Sequence, residues 1–368
     1  MTDHSSEITP DEVRSALREF FADRPGTPEA RRMLDGAGLD RDTWSTLAEQ
    51  LGLAALGAPE AWGGTALGVD HLVAAGEECG AALYAGPARA AAAIALSLAA
   101  LDPEQVPDDL AACVHDVLAG DAVPGLSVLE VSDAAPEYAD GVLSGRIAAV
   151  THGTDADLVL CVARTVAGPA AVLVDVRSAA DRFLVPSADG GLALADIVVD
   201  GAPAVHVTRD ADGLDRHRHL VRLLLAAEQV GGATGCLTGM VDYAAIRHQF
   251  DQAIGSYQAI QHRCANLAID IAAARALVAA AAAATDSGEH EAARQLGLLA
   301  RAHATDVFDV AADGYIQVSG GIGFTWEHDA HLFFRRARTV AALGGTAARH
   351  RDLAVEACCL DQLLAPVS

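Results

Sequence analysis

The chain has 368 residues, 52% of them apolar, enough to bury a substantial core and to hold two or three compact units. Its formal charge of −25 at pH 7 repels nucleic acid and anionic membrane surfaces, so neither is expected as a partner. A polyanionic ligand would have to be held by local basic residues.

The opening stretch, MTDHSSEITPDE, has neither the basic nor the apolar region of a secretory leader. The longest uncharged apolar run, near Ala90 to Leu101, is too short to span a bilayer, so a cytoplasmic location is expected. Thr9-Pro10-Asp11-Glu12 reads as an N-cap, a proline at N1 and early acids. From there to about residue 122 apolar residues recur at three and four spacing, which predicts helices, with a break at Ala58-Pro59 before a helix near 69–80. The alanine-rich run 88–101 has strong helix propensity.

From about 123 to 207 the texture changes to short β-branched runs punctuated by glycine. Segments 142–145, 158–162, 171–176 and 197–200 read as strands of a small barrel or sandwich. After Asp215-Arg216-His217-Arg218-His219 the helical pattern returns. Helices near 214–246, 256–286, 289–317 and 328–342 have connections short enough to require antiparallel neighbours, hence a bundle. The expected class is therefore α+β: an N-terminal helical domain (1–122), a central β-domain (123–210) and a C-terminal four-helix bundle (211–368).

Seven cysteines, at 79, 113, 161, 236, 264, 358 and 359, lack metal-ligand spacing and read as free thiols, so no metal is expected. No Ser-His-Asp order or P-loop is present, and Gly190-Gly191 lacks the strand-turn-helix context of a dinucleotide fold.

The chemistry-bearing motifs lie in the last third. Arg247-His248-Gln249-Phe250 is followed by Ile254-Gly255-Ser256-Tyr257-Gln258, and later by Ile316-Gln317-Val318-Ser319-Gly320-Gly321-Ile322-Gly323-Phe324. With these the chain resembles the acyl-CoA dehydrogenase family. The resemblance extends to Trp44 through Leu53, to Ala58-Pro59-Glu60-Ala61-Trp62-Gly63-Gly64, and in weaker form to Gly145 through Asp157. It implies a helix–sheet–helix order and FAD chemistry on an acyl-CoA thioester. A proton leaves the α carbon to a carboxylate base in a dry pocket, hydride leaves the β carbon, and an electron-transfer acceptor reoxidises the flavin.

That base is missing. The stretch Arg336 to Thr346 matches the family's Glu-Gly-Thr loop without gaps, and Gly344 occupies the glutamate's place. The family's second location, on the helix before Arg247, falls on Val221. Glu228 lies seven residues further, on the same helical face and about 10 Å along the axis. It is a weak candidate for a relocated base, with a structural ion pair as the competing reading. Arg222 matches an arginine that the family places beside its catalytic region.

The resemblance divides the flavin contacts into two sets, because the family lays each FAD across a subunit interface. The set offered to a neighbour is intact: Arg247 for pyrophosphate, Gln258 and Gln317 for the nucleotide portion, Gly320 and Gly321 for close backbone approach, with Phe250 in the same motif. Asp251 stands where a glycine is usual. The set for the chain's own flavin ring is degraded. Between Leu126 and Pro136 only Glu130 has a counterpart, Ala149 replaces a ring-stacking aromatic, and Thr151 keeps a hydroxyl. Thr346 matches a pyrophosphate-binding threonine or, more simply, starts a helix.

His217 and His219 read as a solvated basic patch, or else as contacts for CoA phosphates. Trp326-Glu327-His328-Asp329 reads as a loop leading into a helix, with His328 and Asp329 capping it. Ala226, Ala227, Gly231 and Gly232 suggest room for a bulky acyl chain. Three functions stay open. The chain is one subunit of a heteromeric acyl-CoA dehydrogenase, dimer or tetramer, whose homologous partner supplies the base. Alternatively it is a self-sufficient homo-oligomeric flavoenzyme with a relocated base, or a redox-dead acyl-thioester binding or cyclising protein.

Overall fold

The computed structural model describes residues 8–128, 135–179, 181–208 and 210–357. Six helices come first: α1 (Pro10–Asp23), α2 (Gly26–Leu34), α3 (Arg41–Leu51), α4 (Val69–Ala81), α5 (Ala88–Ser97) and α6 (Asp108–Ala119). The signal at Thr9 is a full capping box. The Glu12 amide donates to Thr9 Oγ1 at 3.3 Å while the Thr9 amide donates to Glu12 Oε2 at 2.7 Å.

Among the described residues the central sheet has seven strands: β1 (Pro124–Ser127), β2 (Glu137–Ala139), β3 (Val142–Thr151), β4 (Leu158–Thr165), β5 (Gly168–Asp175), β6 (Asp181–Leu184) and β7 (Ala195–His206). Antiparallel pairs β1–β3, β3–β7, β7–β5 and β5–β4, together with the parallel pair β4–β1, close a ring, so the sheet is a small barrel. Alternation explains the uninterrupted apolar runs. Along β4, Val159, Cys161 and Ala163 point into the barrel, whereas Leu158 and Leu160 join the core shared with the helices.

The third part contains α7 (Ala211–Ile246), a short hairpin of β8 (His248–Gln249) and β9 (Gln252–Ala253), then α8 (Gln258–Asp286), α9 (His290–Ser319), α10 (Ala330–Ala342) and α11 (Ala347–Ala357). Helices α7 to α10 form the bundle, α11 lies on α9, and α7 also packs along α4. By length and composition α7 and α8 could each cross a membrane, although the apolar stretch of α7 is mostly buried inside the protein.

The crossing of α4 and α7 corrects one expectation. A Cβ on Gly80 would collide with the Glu228 carbonyl, and one on Gly231 with the Glu77 carbonyl. Gly232 lies against the ring of Phe308, and Ala226 and Ala227 are fully buried. These small residues let helices touch backbone to backbone; they do not make room for an acyl chain.

Candidate functional site

The loop after α10 is fixed from below. Arg301, buried in α9, donates to the carbonyl of Leu343 at 2.8 Å and to that of Val340 at 2.7 Å, which also accepts from the Leu343 amide, so the end of α10 is held from α9. Burial pushes its pKa down to about 10, so it stays cationic at neutral pH. The chain then turns through Gly344 and Gly345 at φ +69° and +104°, a left-handed path that suits glycine.

Gly344 faces a cavity of about 40 Å³ together with Ser127, Val128, Val221, Arg222 and Leu225. The two base positions that the family pattern implies, Gly344 and Val221, therefore meet in one place. Among the described residues the lining carries no carboxylate.

His217 also lines this cavity, and the solvated-patch expectation is wrong for it and for His219. Both are only 6% exposed. The start of α7 lies between barrel and bundle, so opposite faces of the helix are covered. His219 Nε2 bonds Thr285 Oγ1 of α8 at 2.8 Å. Burial, with Arg218 beside His217 and Arg222 beside His219, lowers both pKa values to about 4.

Glu228 faces a different cavity, of about 30 Å³, and is clamped by two guanidiniums. It pairs with Arg89 of α5 and, at 3.1 Å, with Arg336 of α10, which also pairs with Asp189 before β7. Burial raises its pKa, but Arg89 and Arg336 outweigh burial and hold it below the usual carboxylate range. A carboxylate so held is a poor proton acceptor.

Thr151, at the end of β3, is buried and its hydroxyl donates to the Leu126 carbonyl at 3.3 Å. Ala149 sits in a bulge at φ +48° with its amide on Asp196 Oδ1 at 2.8 Å. Glu130 lies outside the described residues, as do Cys358 and Cys359. Thr346 accepts from the Arg349 amide at 3.2 Å and so caps α11. His328 Nδ1 accepts from the Ala330 amide at 3.1 Å. Asp329 is the N-cap residue of α10, but its side chain makes no capping bond: it takes Arg31 of α2 at 2.7 Å and Thr27 Oγ1 at 2.9 Å.

The remaining residues gather at one end of the bundle. Tyr243 near the end of α7 and Tyr315 near the end of α9 both contact the ring of His328, at 5.5 and 5.2 Å, which brings the two helix ends together. Arg247, Gln258, Gln317, Gly320 and Gly321 are all exposed there. Phe250 and Asp251, at φ +54° and +65°, form the two-residue tip of the β8–β9 hairpin, a turn with two left-handed positions that usually takes asparagine and glycine. Phe250 is 89% exposed, and Ile246, Phe324 and Trp326 add to the apolar surface. The Phe-Asp pair at the tip carries no turn signal, so the hairpin is not legible in the sequence.

The sequence matches the acyl-CoA dehydrogenase N-terminal domain profile over residues 9–102 and the acyl-CoA dehydrogenase C-terminal domain profile over residues 218–358. The chain belongs to the acyl-CoA dehydrogenase family, whose members are FAD-binding flavoproteins. It is 34% identical over 345 residues to the acyl-CoA dehydrogenase IpdE2 of Mycobacterium tuberculosis, covering 91% of this chain and 94% of that protein. Its fold is similar to that of the ChsE4-ChsE5 complex from Mycobacterium tuberculosis, with a TM-score of 0.80 and 24% identity over 100% of both chains. It is equally similar to a variant of the Tcur3481-Tcur3483 steroid ACAD, with a TM-score of 0.81 and 24% identity over 96% of this chain and 98% of that one.

Proposed function

We propose that this chain is one subunit of a heteromeric, FAD-dependent acyl-CoA dehydrogenase, cytoplasmic, in which a homologous partner supplies the catalytic base and the pocket for the flavin ring. The observation that carries this reading is the shared cavity of Gly344 and Val221, which brings both base positions together with no acid among the described lining residues. The similarity to ChsE4-ChsE5, itself a complex of two named chains, supports a paired assembly.

Among the described residues, those present fit one half of FAD and not the other. At the exposed end of the bundle Arg247 would meet the pyrophosphate, Gln258 and Gln317 would hydrogen-bond the nucleotide portion, and the Gly320-Gly321 backbone would allow close approach, beside the apolar tip of Phe250. On the barrel side the Thr151 hydroxyl is buried and committed to Leu126, and a 40 Å³ cavity is far below the roughly 300 Å³ or more of ordinary ligand pockets. No step is therefore assigned to a flavin ring held by this chain's own barrel. When bound across the interface, FAD would supply the hydride acceptor for forming the α,β double bond of an acyl-CoA thioester, with an electron-transfer partner downstream. This chain's part is to grip the nucleotide and to seal the partner's site with its apolar end. The relocated-base reading has Arg89 and Arg336 against it, since both stabilise ionised Glu228.

Co-expression with a homologous chain that keeps the Glu-Gly-Thr loop tests the proposal. The pair is expected to be yellow and to desaturate an acyl-CoA, while this chain purified alone is colourless and inactive. Yellow, active material from this chain alone would overturn the reading.

A narrower outcome concerns Gly344→Glu in the lone chain. A Cβ there would sit 3.5 Å from the Val128 carbonyl and 3.8 Å from Leu225, so space exists, but the left-handed backbone costs about 1 kcal/mol. The variant is expected to fold with a slightly lowered Tm and to show no dehydrogenation in a dye-reduction assay. Robust turnover would show that the missing carboxylate was the only defect.

A further inference from the structure

Among the described residues, four buried polar atoms around the Glu228 cavity have no hydrogen-bond partner: Tyr84 Oη, Arg89 Nε, Arg336 Nη2 and His152 Nδ1. All four side chains line that cavity, and Tyr84, His152 and Arg336 are 4%, 2% and 2% exposed. They converge from separate places: the turn after α4, the start of α5, the end of β3 and the middle of α10. The Tyr84 hydroxyl reaches in across Gly86, where a Cβ would occupy its position.

Three of the four atoms carry a hydrogen with nowhere to go. A buried donor without an acceptor costs about 1–3 kcal/mol, so three in one place require something between them. Glu228 already receives Arg89 and Arg336. One water accepts two hydrogens and must place two of its own. A particle that only accepts satisfies all three donors at once.

Size narrows the choice, while the charges around the cavity balance at neutral pH. Arg89 and Arg336 face Glu228 and Asp189, and buried Arg301 adds a third guanidinium with no carboxylate among its hydrogen-bond partners. Glu29, whose charge acts on Tyr84, has its pKa raised to about 6 by burial and offsets this excess when ionised. Burial above all, with Arg89 and Arg336 adding to it, lowers the pKa of His152 to about 3, so its ring is neutral where it lines the cavity. A space of about 30 Å³ admits roughly two water-sized positions, too little for a tetrahedral oxyanion.

We propose that the cavity between Tyr84, Arg89, His152 and Arg336 binds one monovalent anion of halide size. This anion ties the end of β3, and with it the barrel, to the turn after α4, to α5 and to α10, and makes the stability of the chain specific for the anion rather than dependent on ionic strength alone.

Crystals of the full chain grown with sodium bromide, with data collected at the bromine absorption edge, test this directly. An anomalous peak within hydrogen-bond distance of Arg89 Nε and Arg336 Nη2 is expected; waters alone in the cavity would overturn the proposal. In solution, replacing gluconate by chloride at constant ionic strength is expected to raise Tm by about 4 °C or more. Tyr84→Phe keeps the ring beside Phe21 and is expected to weaken chloride about tenfold. Equal chloride response in wild type and Tyr84→Phe counts against the site. Should that variant fail to fold, the bromine peak decides alone.

Discussion

Replacing Arg336 by methionine is expected to lower the unfolding free energy by about 3–5 kcal/mol, the range for removing one partner from a buried ion pair. The side chain is 3% exposed and joins three parts of the molecule. Its Nε pairs with Asp189, and Nη1 reaches Glu228 at 3.1 Å and the Tyr84 carbonyl at 3.2 Å. Methionine fills a similar volume but takes the guanidinium from buried Asp189 and leaves Glu228 with Arg89 alone. Asp189 is further committed, accepting from the Gly191 amide at 2.9 Å, so it cannot swing away without opening the turn before β7. Arg336→Lys is expected to recover only part of the loss, since one ammonium cannot reproduce a planar fork that meets two carboxylates and a carbonyl. Urea unfolding of the three proteins measures this; a loss under about 1 kcal/mol for the methionine variant would mean that the network contributes little to folding.

Acid is expected to unfold the chain well above the range where carboxylates titrate. Burial lowers the pKa of His152 and His350 to about 3 and of His217 and His219 to about 4. In the unfolded chain each would titrate near 6.5. Between 6.5 and these folded values the unfolded state binds more protons, so stability is full above pH 6.5 and falls as pH drops. At pH 5 each histidine costs about 2 kcal/mol, and four together about 8, comparable to the whole stability of an ordinary domain. Glu29 acts in the opposite sense. Its folded value of about 6 is raised, so it gains protons on folding and returns part of the loss as pH falls from 6 toward 4.5. Thermal melts from pH 8 to pH 4.5 are expected to show Tm falling steeply below pH 6, and His350→Phe should flatten the slope. A level Tm across this range would refute the neutral burial of these rings.

Local pattern was enough for much of the architecture. The capping signal at Thr9, the period of the apolar residues and the β-branched runs lead to α1, β3, β4, β5 and β7 because there local preference and tertiary packing agree. Where they disagree the sequence was mute. β1 begins Pro124-Gly125, residues of low strand preference, yet it is a strand because β3 and β4 flank it. The barrel contact that buries His217 and the Thr285 partner of His219 are far away in sequence, so a run of alternating basic residues looks like surface. The same holds for Asp329, whose partner Arg31 is 298 residues away. Gly344 and Val221 could be aligned to a family pattern one at a time, but only folding shows that they share a cavity. The converging donors around Glu228 come from four places along the chain and have no linear signature at all.

The contact of α4 with α7 bears on how such an enzyme could be redesigned. Where carbonyls of one helix rest on bare α-carbons of another, a cleft cannot be widened by trimming side chains, because there are none left to trim. In the proposed pair, directed evolution toward bulkier thioesters would find its productive mutations in the other polypeptide, leaving this one as an unaltered chassis.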